Sequence, residues 1–357
     1  MTDTRPIELT IGFMPLLDCA LLAVAAEKGH AAASGLTLRL VRENSWANIR
    51  DRIVVGQFDA AHMLGPMVVA ETLGVGQINV PLVAPVALGR GGNAITVSRG
   101  LWSQMHAAGA QLGAAPAAVA EALGRVVAQR AASGGKPLAL AMVFPFSCHN
   151  YELRHWLALG GIDPDRDVRL VVLPPPLLVD ALRTGQVDGY CVGEPWNSVA
   201  VESGVGVIAA VISDIWPAAP EKVLGMRADY AERHPDAVRA LVCTLEAASR
   251  WCGNPANLEE LAVLLSEPRY VGVPARLLFR ALTGELMLMS GEPPVRREEF
   301  LVLSGPGATV PLPEHAAWIC QQMQRWGQVA GGERVLQQAR ESFRQDLYLD
   351  ALQGPAK

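Results

Sequence analysis

The chain has 357 residues, half of them hydrophobic, with 30 basic and 35 acidic side chains and a formal net charge of −5. That length exceeds what one hydrophobic core fills, so two domains or lobes are expected. The scattered basic residues form no stripe able to neutralise a phosphate backbone, and no apolar run approaches the roughly 20 residues of a membrane-spanning helix, so direct nucleic-acid and membrane contacts are not expected.

In chain order, residues 8–13 read as a strand. Pro15 and Asp18 then lead into a helix over residues 19–28 that stops at Gly29. Residues 36–41 alternate as a second strand. Asn44 and Ser45 stand where a helix cap belongs, and Ile49, Ile53 and Val54 form the apolar face of the helix that follows. Residues 80–88 continue the strand pattern up to the flexible Gly89-Arg90-Gly91-Gly92 break. The middle of the chain repeats this alternation, with a strand over 138–143, a helix over 148–159 closed by Gly160-Gly161, and a strand over 168–173 ended by Pro174-Pro175-Pro176. Beyond the rigid Trp216-Pro217-Ala218-Ala219-Pro220 link, helices are expected over 235–251, 258–265, 274–282 and 313–326. Strand and helix in alternation predict an α/β fold with parallel sheets. The six cysteines contain no C-x-x-C pair, so buried free thiols are expected, with no metal, redox centre or cofactor.

Two stretches 129 residues apart share a template. Gly56-Gln57-Phe58-Asp59 and Gly185-Gln186-Val187-Asp188 are each followed by an apolar run and a proline ten residues after the glycine, Pro66 and Pro195. In each copy a helix-like run ends at the glycine and a short strand runs into a Gly/Pro turn. One unit used twice is the prediction. Ligands bind at the carboxyl ends of strands in open α/β sheets, so two such turns, one per lobe, suggest a two-lobed ligand trap.

Five ordered segments are more specific. They are Ser45-Trp46-Ala47-Asn48-Ile49-Arg50-Asp51, the 148–164 stretch around His149 and His155-Trp156-Leu157-Ala158, the triple proline, Val192-Gly193-Glu194-Pro195-Trp196, and Pro220-Glu221-Lys222-Val223. Over about residues 9–326 the chain resembles the nitrate and bicarbonate solute-binding proteins of bacterial ABC importers. The resemblance implies a two-lobed periplasmic-binding-protein-like fold (type II), each lobe a mainly parallel sheet flanked by helices. Residues 1–97 and 213–357 would form lobe I and 98–212 lobe II, with a ligand cleft and hinge between them. The N-terminus shows no export-signal pattern, so within that family the chain resembles the cytoplasmic NasS-type nitrate/nitrite sensors. That kinship implies a cytoplasmic regulator of nitrate assimilation that holds an ANTAR-type RNA-binding antiterminator and releases it when ligand binds; the alternative is an importer receptor.

The resemblance also implies a ligand set of Trp46, Asn93, His149, Gly193 and Lys222, with Asn93 standing where the family has a longer glutamine. Nitrate offers three acceptor oxygens and no proton, so a pocket of donors free of carboxylates is expected. Lys222, where bicarbonate-binding relatives resemble an acidic residue, favours nitrate or nitrite. Lys222 is one of four lysines beside 26 arginines. Outside the resemblance, Trp46 reads as a core anchor and His149 as a cap or core histidine. Glu194 is expected to point away from the anion or to pair with an arginine. An enzyme is not expected: Cys148 and His149 are adjacent and point apart, and no nucleophile elbow, P-loop or zinc motif occurs.

Overall fold

The computed structural model describes residues 6–76 and 79–353; residues 1–5, read above for an export signal, and Lys357 lie outside these. The chain divides into two compact units. One comprises the chain up to Arg90, Pro220–Gly272 and the part from Val302 on; the other comprises Gly91–Ala219 and Val273–Leu301.

The first unit is built on five strands in the spatial order Leu36–Arg42, Ile7–Phe13, Ala60–Leu64, Lys222–Arg227, Leu82–Ala87. The first three run parallel, and Lys222–Arg227 is antiparallel to both its neighbours. The central strand Ala60–Leu64 is buried along its whole length. It therefore reads as a continuous run rather than an alternation, as expected for a strand covered on both faces. Helix Pro235–Cys252 buries Val238, Leu241, Val242 and Leu245 along one stripe, which meets helix Ala20–Glu27.

The second unit repeats the architecture in the order Arg169–Val172, Ala139–Met142, Gly189–Gly193, Asn93–Ser98, Gly206–Val211. Again three strands are parallel and the fourth, Asn93–Ser98, is antiparallel to its neighbours. Its core gathers Ile95, Val97, Trp102, Leu123, Leu140, Leu153 and Trp156. Helix Pro116–Ala132 approaches the end of helix Cys148–Leu159 so closely that a Cβ on Gly124 would stand 2.2 Å from the Gly160 carbonyl oxygen, and one on Gly160 the same distance from that of Ala120. Both positions therefore require glycine. Residues 273–301, expected in lobe I, group with this unit. Ile208 N–H donates to the Leu288 carbonyl at 2.8 Å beside a break in the strand register, and Arg276–Glu202 and Arg297–Asp214 pair at 2.6 and 2.8 Å.

The two template copies are the third strand of each sheet. In the first, Thr10 N–H donates to Asp59 Oδ2 at 2.8 Å and Asp59 N–H returns a bond to the Thr10 carbonyl at 2.9 Å. In the second, Ala139 N–H donates to Asp188 Oδ2 at 2.8 Å and Asp188 N–H returns one to the Ala139 carbonyl at 2.7 Å. Each aspartate thus clamps its strand to its parallel neighbour in the same sheet, Ile7–Phe13 or Ala139–Met142. The glycines, at φ +76° and +71°, turn the chain out of the preceding helix in a conformation only glycine adopts freely. Replacing Asp59 or Asp188 with alanine should cost about 1.5 to 3 kcal/mol, the range for a hydrogen bond to a charged group. Urea titration of each variant measures it; a loss well under that range would make the clamp incidental.

The strand Lys222–Arg227 departs from the expectation of a mostly helical remainder. Five of its six residues are buried between neighbours, which removes the polar alternation by which a strand is recognised. Of the six free cysteines, five are buried and Cys243 is partly exposed, a small correction to six buried thiols.

Candidate functional site

Both sheets place the expected ligand residues at the same structural position. Lys222 opens the antiparallel strand of the first sheet and pairs with Leu64, the last residue of the third strand. Asn93 opens the antiparallel strand of the second and pairs with Gly193, again the last residue of the third strand. These are strand ends of the kind where α/β sheets bind ligands.

In the first unit, Ser45 caps helix Trp46–Val54 by accepting the Asn48 N–H at 3.3 Å, which makes Trp46 the first helical residue. Its ring is buried and meets His62 edge-on, with centroids 5.5 Å apart, and Lys222 Nζ lies 5.7 Å from its centroid. Trp46 Nε1 is buried with no hydrogen-bond partner among the described residues. Lys222, 1% exposed, is 3.0 Å from Asp18 Oδ2 and 2.5 Å from Glu221 Oε1. Asp18 Oδ1 faces His62 Nε2 at 3.1 Å, while His62 Nδ1 accepts the Met14 N–H at 3.3 Å. Burial pushes the Asp18 carboxyl up, but Lys222 and His62 outweigh it and hold the group far below the usual carboxylate range. Burial lowers Lys222, and Asp18 and Glu221 more than reverse this, so the amine stays protonated.

In the second unit, Ser147 accepts the Asn150 N–H at 3.1 Å and starts helix Cys148–Leu159, which carries His149 and, one turn on, Glu152, both fully buried. Asn93 Nδ2 donates to both Glu152 carboxylate oxygens, at 3.1 and 2.9 Å, and Cys191 Sγ lies 3.5 Å from Glu152 Oε2. His149, Asn93 and Gly193 therefore belong to one unit, and Trp46 and Lys222 to the other.

The expected carboxylate-free donor set is corrected by this geometry. Lys222 is flanked by Asp18 and Glu221, and the Asn93 amide donors are directed at Glu152. A buried ammonium without counter-charges would be prohibitively expensive, which is why carboxylates accompany it. For Glu194 the pairing alternative is not met. No arginine pairs with it among the described contacts; its Oε2 accepts the Ser198 N–H at 3.2 Å, and burial pushes its pKa up to about 7. Desolvation outweighs the hydrogen bonds from Ser198 and Asn197, which pull the other way. Sequence reasoning missed Asp18, His62, Glu152 and Glu221 as members of the two sets. The one local signal was His62, a polar residue inside the otherwise apolar Ala60–Leu64 strand.

Comparison with known proteins agrees with this architecture. Residues 3–266 match the NMT1-like family. The nitrate/nitrite binding protein NrtA of Synechococcus elongatus is 32% identical over 96% of this chain and 77% of its own length. The chain belongs to the NMT1-like family, among its NrtA/CmpA-like solute-binding proteins. The crystal structure of the periplasmic nitrate-binding protein NrtA from Synechocystis PCC 6803 superposes on this NMT1-like chain with a TM-score of 0.89 at 28% identity, covering 98% of this chain and 89% of that one. The bicarbonate transport ATP-binding protein CmpC of Synechococcus elongatus is 37% identical over 90% of the chain. The chain spans about half the length of such ATP-binding relatives, 46% for CmpC. The fold is thus the periplasmic-binding-protein-like one of this family, whose NrtA members are named for binding rather than catalysis. Among the described residues no helix is long and apolar enough to cross a membrane.

Proposed function

We propose that this protein binds nitrate or nitrite as the solute receptor of an ABC importer, with Trp46, Asn93, His149, Gly193 and Lys222 as its ligand residues. The observation that carries the reading is the Trp46 indole N–H, buried and unpartnered among the described residues. It belongs to a ring packed against His62 and Lys222. A buried donor is left without a protein acceptor at a cost of about 1 to 3 kcal/mol, which an acceptor-only anion beside it would recover. The NrtA relatives, named for nitrate and nitrite, support this ligand class; the CmpC likeness makes bicarbonate the competing ligand.

Calorimetric titration of the purified chain with nitrate, nitrite and bicarbonate tests it. An anion held by several hydrogen bonds, some charge-assisted, gains about 8 kcal/mol, or roughly micromolar affinity. Trp46→Phe, which keeps the ring but removes the N–H, should weaken nitrate about tenfold, the equivalent of a hydrogen bond worth about 1.4 kcal/mol. Tighter binding of bicarbonate than of nitrate would reassign the ligand, and an unchanged Trp46→Phe would remove the indole from the site.

The narrower role, a cytoplasmic sensor that holds an ANTAR-type antiterminator until ligand arrives, is a second reading of the same ligand chemistry. The likeness to importer proteins favours the receptor. The two roles part on whether the purified chain co-elutes with such an antiterminator only when nitrate is withheld.

A further inference from the structure

We propose that Asp18 sets which anions the Lys222 site accepts, because its charge competes with a bound anion for the Lys222 ammonium; this deepens, and rests on, the assignment of Lys222 to the ligand site. Asp18 is 6% exposed and uses both oxygens, Oδ2 on Lys222 at 3.0 Å and Oδ1 on His62 at 3.1 Å. It is therefore fixed in place from two sides. The ammonium has three donors, and Asp18 and Glu221 engage two of them. The third serves a ligand.

An anion taking that donor stands beside the fixed negative charge that shares the nitrogen. A proton-free anion such as nitrate or nitrite gains the Lys222 and Trp46 donors but has nothing to offer Asp18 except repulsion. A proton-bearing anion such as bicarbonate can turn its hydroxyl towards the carboxylate and convert part of that repulsion into a charge-assisted hydrogen bond. Lysine at position 222 by itself favours any anion. Asp18 supplies the discrimination, restraining nitrate and nitrite relative to bicarbonate.

The experiment is calorimetric titration of the full chain and of Asp18→Asn with nitrate, nitrite and bicarbonate at one pH, alongside circular dichroism and thermal melting. Asparagine keeps the shape and an acceptor oxygen while removing the charge. Removing a unit charge a few ångströms from the anion in a partly screened interior should tighten nitrate and nitrite about tenfold. Bicarbonate should gain less or lose affinity, so the nitrate-to-bicarbonate affinity ratio rises. A folded Asp18→Asn that binds nitrate no more tightly than the parent, or that changes all three ligands by one factor, overturns the inference and leaves the receptor reading standing. If Asp18→Asn does not fold, Glu221→Gln, which removes the other carboxylate on Lys222, is read by the same criteria. A parent chain that binds none of the three anions overturns the receptor reading and this inference together.

Discussion

Lys222→Met is expected to abolish nitrate and nitrite binding and to destabilise the first unit by about 3 to 5 kcal/mol, the usual cost of breaking a buried ion pair from one side. Asp18 and Glu221 would remain as two buried carboxylates that had shared one cation. Lys222→Glu should be worse, since it places a third carboxylate among them. The pH dependence has a definite sign. Burial lowers the Lys222 pKa, but its two carboxylate partners raise it above the ordinary lysine value. Its stabilisation is therefore fully present below about pH 10.4, the unfolded value, and is lost only as pH climbs through the higher folded one. Asp18, held far below its usual range, contributes above about pH 3.9 and loses that contribution as pH falls through its folded value. Anion titration and denaturant unfolding of Lys222→Met at neutral pH measure both effects. Parental nitrate affinity in that variant would remove Lys222 from the site.

The second large effect belongs to Glu194. Burial raises its pKa from 4.5 to about 7 in the folded chain. The folded state then holds the proton more tightly than the unfolded one, so stability falls as pH rises between these values and stays lower above them. A shift of this size corresponds to about 3 kcal/mol. Glu194→Gln mimics the protonated acid, so it should match the parent at pH 4 and exceed it by up to about 3 kcal/mol at pH 8. Glu71, also raised to about 7 by burial, titrates over the same window but is common to both proteins and cancels in the comparison. Urea unfolding at the two pH values decides it. A pH-independent difference between parent and variant would mean that Glu194 is ionised in the folded state and stabilised by something other than a proton.

Much of the fold was legible because its signals are local. The Gly-Gln-x-Asp template marked the third strand of each sheet: its glycine serves a left-handed helix exit and its aspartate a clamp to the neighbouring parallel strand, both within about fifty residues of chain. Ser45 was read as a cap and is one. The 148–159 helix stands as Cys148–Leu159, since its closing glycines and apolar spacing are written in consecutive residues. The Lys222–Arg227 strand was not legible. Its pattern is erased by burial on both sides, and its partners Leu64 and Ala87 lie far away in sequence.

The candidate site divides along the same line. Trp46, His149, Gly193 and Lys222 stood out as members of ordered motifs, and their donor chemistry follows from residue type alone. What surrounds each donor was decided only by tertiary structure. Asp18 reaches Lys222 and His62 from another part of the chain, Glu152 takes up the Asn93 amide from a neighbouring helix, and Glu194 accepts from Ser198. Sequence by itself determined the alternating α/β units, their duplication and the kinds of donor on offer, because those depend on neighbours along the chain. The charge state and occupancy of each donor depend on which buried groups must satisfy one another once water is excluded, and that pairing exists only when the sheets have assembled.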